Sequence, residues 1–147
     1  MRVRSIAGHP QKVHLVILEK GEEVVSSLLA FAHNEDVRSA QVTAIGAFSE
    51  IVLGFFDPQR KRYLEIPVRE QVEVVSLAGN FTEENGQQRL HAHVAVAKRD
   101  GTAHGGHLMR GIVGPTLEAM VTEVAAHLQR RSDPETGLAL ISDVILT

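Results

Sequence analysis

Four of the eight histidines fall within the nineteen residues LHAHVAVAKRDGTAHGGHL, numbers 90–108. The chain has no cysteine, so a bound metal must be held by imidazole, carboxylate or carbonyl donors. Strand side chains alternate between faces, which puts His91 and His93 on one face with Cβ atoms roughly 6–7 Å apart. Arg99-Asp100-Gly101 has the composition of a three-residue hairpin loop, a type I turn followed by glycine in the left-handed region. That loop makes Lys98 face Thr102 and sets His93 directly across from His107, at about 4.5–5.5 Å between Cβ atoms, with His91 diagonal to it. Three imidazoles thus share one patch. His104 lies at odd offset from His107 and points to the other face. Gly105 and Gly106 leave room above the patch and let the strand bend. Three neutral nitrogen donors with an open fourth position resemble the first shell of zinc sites that bind water or substrate. The alternative is a set of solvated hairpin imidazoles.

Other nucleophilic and phosphate-binding motifs are absent. GHLMRGIV has glycines at P-loop spacing, but Ile112 and Val113 stand where Lys and Ser or Thr are required. No GxSxG elbow occurs, and Ser76 reads as an ordinary sheet residue. Arg60-Lys61-Arg62, Lys98-Arg99 and Arg130-Arg131 fall in or beside expected turns and read as solvated charge rather than a phosphate-binding patch. Phe55 and Phe56 are neighbours on a strand and face opposite ways, which suits core or a subunit interface better than a stacking platform.

The elements that would position the histidines are mostly strands. KVHLVIL (12–18) reads as a strand that becomes fully buried. From Glu22 the apolar residues Val24, Val25, Leu28, Leu29, Phe31 and Ala32 recur at helical spacing, predicting one main helix over about 22–34. Residues 39–56 are rich in Val, Ile, Thr and Phe, with Gly46 and Ser49-Glu50 marking a bend or tight turn, so a hairpin or a bulged pair is expected. YLEIPV reads as an edge strand because of Pro67. VEVVSLAGN (72–80) and LHAHVAVA (90–97) are strands, EENG (83–86) and SDPETG (132–137) are turns, and LALISDVIL closes the chain as a strand. Residues 116–128 are ambiguous: Leu117, Met120, Val121, Val124, Ala125 and Leu128 fit a helical stripe following a proline. The whole reads as one α/β (α+β) domain over 1–147, a largely antiparallel sheet with one main helix.

Composition removes several function classes. With 147 residues, 44% hydrophobic and 22% charged, the chain is long enough for one sizeable core. Fifteen basic residues against eighteen acidic ones give a formal charge of −3, so no global field draws a polyanion. Aromatics are 4% with no Trp, leaving little for stacking on unpaired bases. The start lacks a signal-peptide pattern and no stretch is apolar enough for a membrane span, so a cytoplasmic protein with no membrane partner is expected.

GEEVVSSLLAFA, TAIGAFSEIVLGFFD, VEVVSLAGN, LHAHVAVAKRDG, GGHL and TLEAMVTE, in that order, resemble the PPC (plants and prokaryotes conserved) domain family over about residues 13–141. The resemblance implies an α/β fold on a largely antiparallel sheet, a homotrimer, and a strand at TLEAMVTEV in place of the helical stripe. It also implies that His91, His93 and His107 are metal ligands. Glu73, Asn80 and Glu118 lie in the matching blocks and would orient a histidine or act on bound water if they reach the patch. Prokaryotic members are often described as DNA-binding, by analogy with plant members that carry AT-hooks. No Arg-Gly-Arg-Pro core occurs here, so that description has less support in this chain. The expectation is therefore a homotrimeric domain that binds a divalent metal, zinc, and a small-molecule ligand. A DNA-binding regulator without an AT-hook is the alternative, and the choice between enzyme and sensor stays open.

Overall fold

The computed structural model describes residues 2–7 and 12–146, with side chains described over 12–142. Leu117, Ala119 and Val121 are buried while Glu118 and Met120 are exposed. This is the period of two that a strand requires. The helical stripe over 116–128 is thus overturned: those residues span the end of one long strand and the start of the next. The described elements run β1 (Arg2–Ala7), β2 (Val13–Glu19), α1 (Val24–Asn34), β3 (Ala40–Asp57), β4 (Arg62–Val68), β5 (Val72–Glu84), β6 (Gln87–Ala97), β7 (Ala103–Glu123), β8 (Ala126–Ser132) and β9 (Ala139–Leu146).

The strands form one sheet in the order β1-β2-β7-β3-β5-β8-β9, with β4 on β3 and β6 bridging β5 and β7. Because β6 pairs both β5 and β7 while β3 also pairs both, these four strands close a circuit. Every ladder is antiparallel except the parallel pairing of β5 with β8 at Glu83 and Gln129. β4 pairs only β3, the edge position expected from Pro67.

Residues 40–57 are one continuous strand, so the hairpin expected near Gly46 is not formed; the bulged alternative is. The register against β5 shifts between Ala44 and Gly46, and against β7 between Gly46 and Phe48. Gly46 has φ 145°, and a Cβ there would collide with the Thr116 carbonyl oxygen and lie 2.8 Å from the Leu117 Cα. Glycine lets β3 and β7 approach where the bulge turns the strand.

Helix α1 begins where Glu23, in an extended conformation, accepts from the backbone N–H groups of Val25 (3.1 Å) and Ser26 (2.8 Å). The same carboxylate accepts from Gly111 N–H (3.2 Å), tying the cap to β7. Its apolar face, Val24, Leu28, Phe31 and Ala32, is buried. Phe31 meets Phe81 edge-on at 6.5 Å and His14 at 5.3 Å. Leu18, Phe48, Ile51, Leu77, Val94, Val96 and Leu117 complete this core. The inward set on β6 is Ala92, Val94 and Val96, so alternation turns His91 and His93 away from the helix-covered core.

Candidate metal centre

The β6–β7 hairpin closes as its loop composition requires. Lys98 N–H donates to the Thr102 carbonyl (2.9 Å), Gly101 N–H to the Lys98 carbonyl (2.9 Å), and Gly101 has φ 82°. Asp100 Oδ1 fixes the turn by accepting from the N–H and hydroxyl of Thr102. From that turn the ladder counts back to His93 opposite His107, with His104 opposite Val96. His104 is thereby separated from the patch. Gly106 faces β3, where a Cβ would come within 2.7 Å of the Gly54 carbonyl oxygen; a side chain there would push the histidine-bearing end of β7 off the sheet.

The three rings form a nearly equilateral triangle, with centroids 5.3 Å apart for His91–His93 and His91–His107 and 5.5 Å for His93–His107. One ligand nitrogen from each lies within 4.8 Å of the others. Tetrahedral coordination with 2.0–2.1 Å bonds puts nitrogens about 3.3 Å apart, so the rings would close by up to about 1.5 Å to share one ion. Tyr63, carried by β4, stacks on His107 at 4.6 Å.

Electrostatics favour the neutral form of two of these rings, His91 and His107. Burial, then the neighbouring His91, His93 and Arg130, pushes His107 down from 6.5 to about 4. Burial, followed by Arg130 and His93, also lowers His91. Neutral imidazoles present lone pairs, the state that coordination requires. His107 Nδ1 is buried without a hydrogen-bond partner. A native structure rarely leaves such an atom unpaired, and a cation between the rings would satisfy it. The donor set of three nitrogens therefore fits a borderline divalent ion.

Asn80 stands opposite His91 in the β5–β6 ladder and reaches the patch through Arg130, whose Nη2 donates to Asn80 Oδ1 at 3.0 Å. Glu73 and Glu118 are exposed. Among the described residues no hydrogen bond joins either to the three histidines. Arg130 itself is a correction. It lies near the end of β8 and is no solvated charge: it is 8% exposed, and its Nη2 donates to His91 Nδ1 at 3.1 Å. Sequence reasoning missed it, together with Tyr63. The one available signal was the period-two alternation that sets Arg130 and Arg131 on opposite faces. Tyr63, Leu90, His91, His107, Arg130 and Leu140 surround a cavity of about 210 Å³ beside the triangle.

Residues 5–125 match the Plants and Prokaryotes Conserved (PCC) domain, also abbreviated PPC. The chain belongs to this family. Its histidine triangle lies wholly inside the matched span, and β8 with Arg130 lies beyond it. Among solved structures this PCC domain resembles a candidate DNA-binding protein of Bacteroides thetaiotaomicron, at 29% identity and TM-score 0.86 over 95% of this chain and 96% of that one. It also resembles a metal-containing protein of Archaeoglobus fulgidus, at 29% identity and TM-score 0.85 over 97% of this chain and 99% of that one. A part of the bifunctional protein GlmU of a Synechococcus strain is 29% identical over 90% of this chain. The chain spans about a fifth of the length of the curated relatives it matches, 22% and 19%. No helix among the described residues is long and apolar enough to cross a membrane.

Proposed function

We propose that this PCC domain binds one divalent metal ion per subunit, zinc, through His91, His93 and His107, with a small-molecule ligand completing the coordination. The observation that carries the reading is the buried, partnerless Nδ1 of His107 within a triangle of three imidazoles. The metal-containing relative from Archaeoglobus fulgidus supports it. Zinc would supply a Lewis-acidic position at which water or a ligand oxygen is polarised. The chain's own residues orient that ligand: Tyr63 packs the His107 ring in place, and Asn80 holds the Arg130 guanidinium beside His91. Of the three carboxylate or amide candidates, Asn80 is thus the one with a path to the patch. Glu73 and Glu118 would need a second chain to bring them there.

The test is metal analysis of protein purified without a histidine tag. After zinc loading and removal of excess, about one equivalent per subunit is expected, and His93→Ala, an exposed position, should hold less than about a tenth. Wild-type protein below about a tenth of an equivalent refutes the reading.

A homotrimer fits the apolar residues that remain outside the core. Phe55 is 63%, Ile45 61% and Val75 58% exposed, apolar surface that contact between subunits would cover. Sedimentation should give three times the 16.0 kDa subunit mass. The second reading, a DNA-binding regulator, draws support from the Bacteroides relative. It requires phosphate contacts, hence affinity that falls steeply as salt rises. No duplex binding at about 50 mM salt would exclude it.

A further inference from the structure

We propose that the cavity beside the histidines is a seat for a small monocarboxylate, whose carboxyl group is held by Arg130. The seat itself is built by the chain alone; its coupling to metal rests on the three-histidine reading.

Arg130 is a buried cation with no counter-ion among the described residues. Its Nε donates to Thr82 Oγ1 (2.9 Å), its Nη1 to the Ala139 carbonyl (2.6 Å), and its Nη2 to Asn80 Oδ1 (3.0 Å) and His91 Nδ1 (3.1 Å). All four acceptors are neutral when His91 is, and no carboxylate of the described residues forms an ion pair with it. Glu84, the nearest acidic influence, is engaged by Arg89 Nε at 2.9 Å. The cavity wall thus carries two guanidinium groups against one carboxylate. One positive charge is left over in a half-enclosed, largely apolar space, and burying a charge is costly until something pairs it.

The occupant's chemistry follows from that space. About 210 Å³ is room for roughly seven waters at ~30 Å³ each, hence for an organic acid of a few carbons. A monoanion balances the single excess charge, and a carboxylate oxygen can accept the one Nη1 hydrogen that the four bonds above leave over. Leu90, Leu138 and Leu140 offer its carbon chain an apolar wall.

The hydrogen bond to His91 links this seat to the metal. Arginine only donates, so His91 Nδ1 is the accepting nitrogen and the neutral ring keeps its proton on Nε2. His91 then has no second lone pair to offer. If it ligates through Nδ1, it gives up the lone pair that Arg130 uses. If it ligates through Nε2, its proton moves to Nδ1 and faces a donor. In either case ligation by His91 and the Arg130–His91 bond exclude each other, and loading the site releases an Nη2 hydrogen at the cavity edge. A carboxylate can accept it. Carboxylate and metal therefore bind with positive coupling, and by linkage each tightens the other.

Lactate and its neutral amide, lactamide, serve as probes in calorimetric titrations of wild-type protein with and without zinc, metal content being measured first. Lactate is expected to bind the zinc-loaded protein at least about tenfold more tightly than lactamide, as a charge-assisted hydrogen bond requires. It should also bind the loaded protein more tightly than the metal-free protein. Arg130→Gln should lose about tenfold or more in lactate affinity while taking up zinc at least as well as wild type, since a like charge has been removed. If that variant does not fold, Arg130→Lys keeps the charge without the fork and should lose several-fold. Equal binding of lactate and lactamide, wild-type lactate affinity in a folded Arg130 variant, tighter binding of inorganic phosphate than lactate, or no lactate binding at about 50 mM each overturns the seat. Equal lactate affinity in loaded and metal-free protein overturns the coupling. If wild-type protein takes up no zinc, the metal reading fails on its own, and the metal-free titration of lactate against lactamide still decides the seat.

Discussion

Replacing Gly79 with alanine is expected to destabilise the protein by about 3 kcal/mol and to weaken metal binding as well. Gly79 pairs with Ala92 in the β5–β6 ladder. A Cβ built on it would collide with the His91 carbonyl oxygen and lie 2.7 Å from the Ala92 Cβ and 2.8 Å from the Ala92 Cα. Carbon atoms at ease sit about 3.5–4.0 Å apart, so the strands must separate locally by the better part of an ångström. Overpacking of this kind costs about 1–3 kcal/mol, and each strained ladder bond about 0.5–1.5 kcal/mol more. For a chain of this length the melting midpoint should fall by roughly 6–12 °C. Because the displaced carbonyl belongs to His91, zinc affinity should fall about tenfold, comparable to losing a group that orients a ligand. Gly105→Ala is the internal control: its Cβ would meet nothing nearer than the Val94 carbonyl oxygen at 3.4 Å, an ordinary contact. Chemical denaturation of both variants, with zinc competition by a chromophoric chelator, measures the two effects. If Gly79→Ala and Gly105→Ala agree within about 0.5 kcal/mol, the argument from β5–β6 packing is wrong.

Acid should weaken the metal-free protein in two steps. His107 is lowered from 6.5 to about 4 by burial and neighbouring positive groups, so below about pH 6.5 the unfolded chain binds a proton that the native state refuses, and stability falls as pH drops toward 4. Discounted for the ring's partial exposure, the loss is roughly 1–2 kcal/mol, and denaturation midpoints across pH 7 to 4 measure it. Burial pushes the Glu23 carboxyl up, but the hydrogen bonds from Ser26, Val25 and Gly111 outweigh it and hold it below 4.5. Its contribution is therefore present above 4.5 and is lost as pH falls below that toward the lower value of the folded state. Glu23→Ala should cost about 1–2 kcal/mol in thermal or urea unfolding, since it removes the α1 cap; no measurable change would show that Gly111 and the helix end find other partners.

The histidine triangle was legible in the sequence because everything that builds it is local. One loop, Arg99-Asp100-Gly101, determines the register, and alternation does the rest. The β3 hairpin and the helical stripe over 116–128 misled for opposite reasons. Gly46 looks like a turn residue, yet it serves a bulge inside a continuous strand, and only the approach of Thr116 reveals it. Met120 and Leu128 completed an apparent stripe, yet Met120 is 38% exposed and the burial that matters alternates at Leu117, Ala119 and Val121. Arg130 was out of reach for a third reason. Its neighbours His91, Asn80 and Thr82 lie some forty to fifty positions away, brought near by the parallel contact of β8 with β5, and no local pattern encodes a pairing of that kind.

That contact has a further consequence. The histidines stand on the closed circuit of β3, β5, β6 and β7, whereas Arg130 and the wall at Leu138–Leu140 belong to a ribbon, β8 and β9, joined to the circuit by a single ladder pair and a few side chains. The two halves of the site thus lie on different parts of the chain, and the family match ends at the boundary between them. Substitutions in the ribbon reshape the wall beside the triangle and reach the histidines through the Arg130–His91 contact. A lineage could vary some twenty residues of the ribbon while every histidine of the triangle stays on its own strand.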